Sequence, residues 1–159
     1  MGKGPENSTD VSEMTFAKNR RRSYSSHGSK LGENMNTLAR ICWISSPVYL
    51  LVGMAFGIWM SATQDHTLAP AHAHLNLIGG VLLALFGTFY MLVPSATASL
   101  LAKIQVAITH LAIWTMFPGI ILAIQQRGET LAKIGSVAGI IAILLFVVIV
   151  ARAPAARSA

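Results

Sequence analysis

Residues Ala69-Pro70-Ala71-His72-Ala73-His74-Leu75-Asn76-Leu77-Ile78-Gly79-Gly80 open an apolar run that continues to Val93. A run of roughly 20 apolar residues is long enough to cross a bilayer. Helix is the only form open to it, because a lone strand or loop leaves its backbone unpaired in lipid. Two histidines and an asparagine stand at its mouth. Ionisable side chains are costly beside hydrocarbon and rare there without a partner or a task. Neutral imidazole is also the commonest metal ligand in proteins.

Three more runs of similar length flank this one. They cover about Ile41 to Ala62, Leu100 to Ile124 and Leu131 to Ala151, against about His72 to Val93 for the histidine-bearing span. The linkers Thr63 to Ala71, Pro94 to Ser99 and Gln125 to Thr130 are short. Short linkers make consecutive helices antiparallel neighbours. The expected fold is therefore all-α, an integral membrane up-down four-helix bundle over residues 39–153. Residues 1–38 are rich in Ser, Asn, Gly, Lys and Arg and poor in large apolar groups, which predicts a disordered basic tail. Residues 154–159 form a short end. Arg20-Arg21-Arg22 has the look of a twin-arginine signal, but the apolar run begins about twenty residues later with no small-residue cleavage site.

Composition agrees with this organisation. Of 159 residues, 53% are hydrophobic and only 11% charged, whereas a soluble domain carries about 25% charged residues. The net charge of +6 does not imply nucleic-acid binding, because most basic residues flank a span, where they orient the chain and attract anionic lipid. The tail, the second linker and the C-terminal end hold Lys3, Lys18, Arg20, Arg21, Arg22, Lys30, Arg40, Lys103, Arg152 and Arg157; the opposite side holds Arg127 and Lys133. Ten against two predicts both termini in the cytoplasm of an inner (plasma) membrane protein. The single Cys42 excludes an internal disulfide and a cysteine-based zinc site.

Local signals refine the spans. Pro70 suits a first helical turn, and Pro94 marks the end of the second span. Ser95, Thr97 or Ser99 is placed to cap the third, and Gly128 falls in a turn. Pro118 predicts a kink, and Trp43, Trp59 and Tyr90 are expected at the membrane boundaries.

On an α-helical wheel His72, Asn76, Gly80, Ala84 and Gly87 fall on one stripe, polar at the top and small below. Small residues let a neighbouring helix or a flat cofactor approach the backbone. His74, about 200° from His72, faces the other way. A His-Ala-His turn also suits a helix end dipping into headgroups. The sharper reading is a metallo-cofactor, haem b, with His72 as iron ligand and His74 and His110 as second candidates. Gly79 and Gly80 then give close approach, Asn76 bonds a propionate or a distal ligand, and Arg127, with Lys133, pairs with propionates. His110 lies deep in the third span, too far below His72 to share its iron, and is expected to bond a polar group or line a cavity. His66 reads as a solvated linker residue. Met54, Met60, Met91 and Met116 read as core filler, one of them available as a sixth ligand.

The run His72-Ala73-His74-Leu75-Asn76-Leu77-Ile78-Gly79-Gly80-Val81, followed by Leu85-Phe86-Gly87-Thr88-Phe89-Tyr90, resembles a histidine-bearing helix of the haem-copper oxidase subunit I and nitric oxide reductase group. That resemblance implies a b-type haem on His72 near the outer face. The chain has four spans and lacks the further histidines of that group's second metal, so a stand-alone haem-binding unit is implied. In size and span count, and in Ala69-Pro70-Ala71-His72 with Gly79 seven residues on, the chain is also similar to styrene oxide isomerase. This second resemblance implies haem b between the subunits of a homo-oligomer, a trimer in that family. Ile78 stands where the isomerase has its substrate-positioning asparagine, and the third span has no tyrosine.

Three functions follow as expectations. The first is a haem-b membrane protein for electron transfer, gas binding or Lewis-acid chemistry, with an unknown redox partner or small apolar substrate. The second is a haem-dependent epoxide isomerase. The third is a non-catalytic small subunit of a respiratory complex. For the first, the sequence predicts that His72→Ala empties the protein of haem and His74→Ala does not.

Overall fold

A computed structural model describes residues 36–153. The tail expected over 1–38 falls outside it as far as residue 35, as do residues 154–159 and His27. Among the described residues four helices are long and apolar enough to cross a membrane: α1 (Thr37–Thr63), α2 (Ala69–Leu92), α3 (Leu100–Ile124) and α4 (Thr130–Arg152). The chain is an all-α membrane bundle. Helix α1 begins four residues before Ile41, because the Asn36 carboxamide oxygen accepts the Ala39 N–H at 2.8 Å and caps the helix there. Ser99 caps α3 by accepting the Ala102 N–H at 3.2 Å. Gly128 takes φ +133°, which suits glycine in the turn before α4. Pro47 and Pro118 both lie inside unbroken helices.

Small residues set the packing. In α1 and α2 the contacts run antiparallel: Gly57 meets His72, Gly53 meets Asn76, Tyr49 meets Gly79, Leu50 meets Gly80, and Cys42 and Trp43 meet Gly87. In α3 and α4, Gly119 meets the Ala132 backbone and Gly135 the Met116 backbone. Backbones this close gain dispersion contact where no hydrophobic force drives helices together in lipid. Buried polar pairs lock the seams. The Ser46 hydroxyl donates to the Gly80 carbonyl at 2.7 Å, and the Tyr90 hydroxyl donates to Gln105 Oε1 at 2.9 Å.

The outward faces are apolar. Ile58 is 70% exposed, Leu51 68% and Trp114 66%, a surface that lipid can solvate and water cannot. Trp43 and Trp59 are exposed on that surface. Tyr90 does not. It is fully buried, packed against Phe89 and Phe146 and tied to Gln105, so it belongs to the core and not to an interfacial belt.

Helix α2 departs from the regular wheel. It is α-helical over Ala69–His74, π-helical over Leu75–Leu82 and α-helical again over Leu83–Leu92. A π turn holds more residues than an α turn, so a wheel drawn at 100° per residue loses phase across it. The wider turn brings both Gly79 and Gly80 onto α1, whereas Ala84 is only half-buried. Such segments are rare and frequent at functional sites.

Candidate functional site

The end of the bundle that carries the α1–α2 and α3–α4 linkers holds His66, His72, His74, Arg127 and Lys133. The Asp65 carboxylate accepts the Thr67 N–H at 3.0 Å, a local turn that leads the chain into α2. That bond holds the Asp65 carboxyl below its ordinary range. Lys133 holds Glu129 low in the same way, through an exposed pair at 2.9 Å. Both depressed carboxyls give their small stabilisation at neutral pH and lose it as pH falls into the acid range. Pro70 sits in the first turn of α2, where its missing N–H costs nothing.

The two histidines have different surroundings. His72 Nδ1 is 2.9 Å from the Gly53 carbonyl oxygen of α1. A carbonyl only accepts, so Nδ1 carries the proton and Nε2 holds the lone pair. Asn76 Nδ2 lies over the ring, 3.1 Å from Nε2 and 3.4 Å from Nδ1. The ring is half-buried in the α1–α2 seam, with Gly57 against Cε1. Asn76 Oδ1 is buried without a hydrogen-bond partner. His72 thus ties α2 to α1, with Asn76 packed against Gly53 one turn on.

His74 is open. Its Nδ1 donates to the Pro70 carbonyl at 2.8 Å, which again puts the lone pair on Nε2. The residue is exposed, at one end of an apolar groove of about 460 Å³. Ile78 and Leu82 of α2, Met116 of α3 and Gly139, Ile140, Ile143 and Leu144 of α4 line this groove, with Ser136 its one other polar residue. Leu144 is 59% exposed, so the groove faces outward from this chain.

The structure does not bring the other candidates to one iron. His110 Nδ1 lies 2.9 Å from the Tyr49 hydroxyl, and His72 lies against Gly57. Eight α1 residues separate those levels, about 12 Å along the axis. Gly79 and Gly80 are covered by Tyr49 and Leu50, so they serve the α1–α2 seam and not a flat ligand. Arg127 is exposed in the α3–α4 turn, at the same end as His74. Lys133, expected beside Arg127, is engaged by Glu129. Among the described residues no three His, Cys, Asp or Glu side chains gather to hold a bare metal ion.

A porphyrin needs one imidazole with its lone pair free and a broad apolar wall. His74 stands exposed on such a wall, whereas His72 is half-buried in the α1–α2 seam with Gly57 against its Cε1. Sequence reasoning passes over Ser46, Tyr49 and Gln105, which the structure uses as seam bonds. Their presence within apolar runs is the signal that marks them. Compared with known protein families, curated proteins and solved structures, the chain gives no match.

Proposed function

We propose that this chain is a multi-pass protein of the inner membrane, with both termini in the cytoplasm, that holds haem b through His74 Nε2. One observation carries the reading: an imidazole fixed by its own backbone, lone pair outward, at the end of an apolar groove. The carbonyl bond at Nδ1 fixes the tautomer and raises ligand basicity. When bound, the haem supplies an iron centre for electron transfer, gas binding or Lewis-acid chemistry.

The chain's own residues do the rest. Ile78, Leu82, Ile140 and Ile143 exclude water from one face of the groove. Met116, largely buried, would extend the same apolar wall. Arg127 supplies a cation for propionates at the open end. His72 and Asn76 act one level removed, holding the first turns of α2 on α1. One chain walls one side of the groove, so a second copy closes it, in line with a homo-oligomer that carries haem between subunits.

The test is an absorption spectrum of protein purified from haem-replete cells, beside His74→Ala and His72→Ala. We expect a Soret band in the parent and in His72→Ala, and its loss in His74→Ala. Colourless parent protein overturns the haem reading, and a full band in His74→Ala overturns the ligand.

A further inference from the structure

We propose that Ser136 is the second polar group of the His74 groove and hydrogen-bonds a small anionic ligand at the iron position that His74 leaves open; the inference rests on the haem reading above. Helices α2 and α4 run in the same direction and meet toward their inner ends, where Phe86 and Phe146 pack 4.4 Å apart between centroids. Outward of that contact the groove separates them. His74, Ile78 and Leu82 of α2 and Ser136, Ile140 and Leu144 of α4 line it at four-residue steps. His74 stands eight residues outward of Leu82, and Ser136 eight outward of Leu144. The two polar side chains therefore stand at about the same depth on two walls, and the groove inward of them is apolar. No carboxylate is among the described lining residues, so nothing there repels an anion.

The chemistry of Ser136 suits that place. Its hydroxyl donates to the Ala132 carbonyl at 2.9 Å. That carbonyl lies four residues back, where the helix already gives it the Ser136 backbone N–H. Turning the hydroxyl into the groove therefore strands no acceptor. A hydroxyl carries one donor hydrogen, and a donor that meets an anion makes a bond roughly twice as strong as a neutral pair. Apolar walls keep water from competing for it. The nearby cations do not take this role. Lys133 is engaged by Glu129 at 2.9 Å, and Arg127 is exposed in the α3–α4 turn, outside the groove lining. His74 spends its own N–H on the Pro70 carbonyl. Ser136 is thus the side-chain donor that the described lining residues leave for a ligand. It is exposed and bonds only within α4, so its replacement leaves the helix seams intact.

The test is fluoride titration of the full chain, purified with haem in the ferric state, beside carbon monoxide titration of the reduced protein. Absorbance follows both in the parent, Ser136→Ala and Ser136→Thr. Fluoride is charged and accepts hydrogen bonds strongly; carbon monoxide is neutral and accepts them poorly. Loss of one hydrogen bond to a charged acceptor predicts fluoride binding about tenfold weaker in Ser136→Ala. Carbon monoxide affinity stays unchanged in that variant, and Ser136→Thr keeps the fluoride affinity of the parent. A purely structural residue moves both ligands together or neither. Equal fluoride affinity in the parent and Ser136→Ala, parallel loss of both ligands, or a coloured parent that takes no fluoride overturns the role of Ser136 and leaves haem on His74 standing. A colourless parent overturns the haem reading itself, and this inference with it.

Discussion

At the residue scale, one backbone carbonyl fixes the tautomer of each histidine at the mouth of α2, and burial sets the two apart. His72 and His74 make the same Nδ1 bond, to Gly53 and to Pro70, yet His74 is exposed on the groove and His72 is half-buried between α1 and α2. The sequence makes the pair visible and cannot separate its members, because the residues that cover His72 belong to α1, 15 and 19 residues away at Gly57 and Gly53. Tyr49 and His110 are a similar case, 61 residues apart and legible only as two polar residues in apolar runs. Tyr49→Phe should leave both His110 nitrogens without a partner. It should lower stability by about 1–3 kcal/mol, the usual cost of stranding a buried polar group. Unfolding in SDS reads this as an earlier midpoint, and an unchanged midpoint would show that the bond is not made in the membrane.

At the element scale, span positions follow from composition, and their ends from caps, because both depend on neighbouring residues alone. Ser99 and Gly128 act where local chemistry places them. The π segment over Leu75–Leu82 leaves no such trace, since an apolar run reads the same at either helical period. His72, Asn76, Gly80 and Gly87 of the expected stripe all meet α1, Gly79 joins them, and Ala84 is only half-buried. Glycines in α4 give a sharp comparison. A Cβ on Gly135 would come within 2.5 Å of the Met116 backbone nitrogen, whereas one on Gly139 would meet only the Met116 methyl at 3.5 Å. Gly135→Ala should force α3 and α4 apart at a cost of about 1–3 kcal/mol. Gly139→Ala should be neutral or stabilising by a few tenths of a kcal/mol, about what alanine gains over glycine in a helix. Equal losses in the two variants, measured by the same unfolding assay, would contradict the close α3–α4 contact.

At the scale of the whole molecule, the lipid-facing surface, the orientation and the assembly are linked. Basic residues predict a topology that single cysteines can check. Cys42 is fully buried and should stay silent to a membrane-impermeant maleimide added to intact cells. Gln126→Cys, in the α3–α4 turn, should label, and Ser99→Cys should not; the reverse pattern inverts the protein. Assembly should depend on the open wall of the His74 groove. Ile140, 62% exposed there, faces either lipid or a second copy. Ile140→Lys should dissociate the oligomer in detergent and lower haem retention in parallel, as read by light scattering and absorbance on one column. The most direct measurement is the haem-to-protein ratio of His74→Gly purified without and with imidazole. The account predicts an empty protein in the first case and recovered haem in the second, where free imidazole fills the space of the missing ring. A ratio in His74→Gly equal to that of the parent, with no imidazole present, would contradict it.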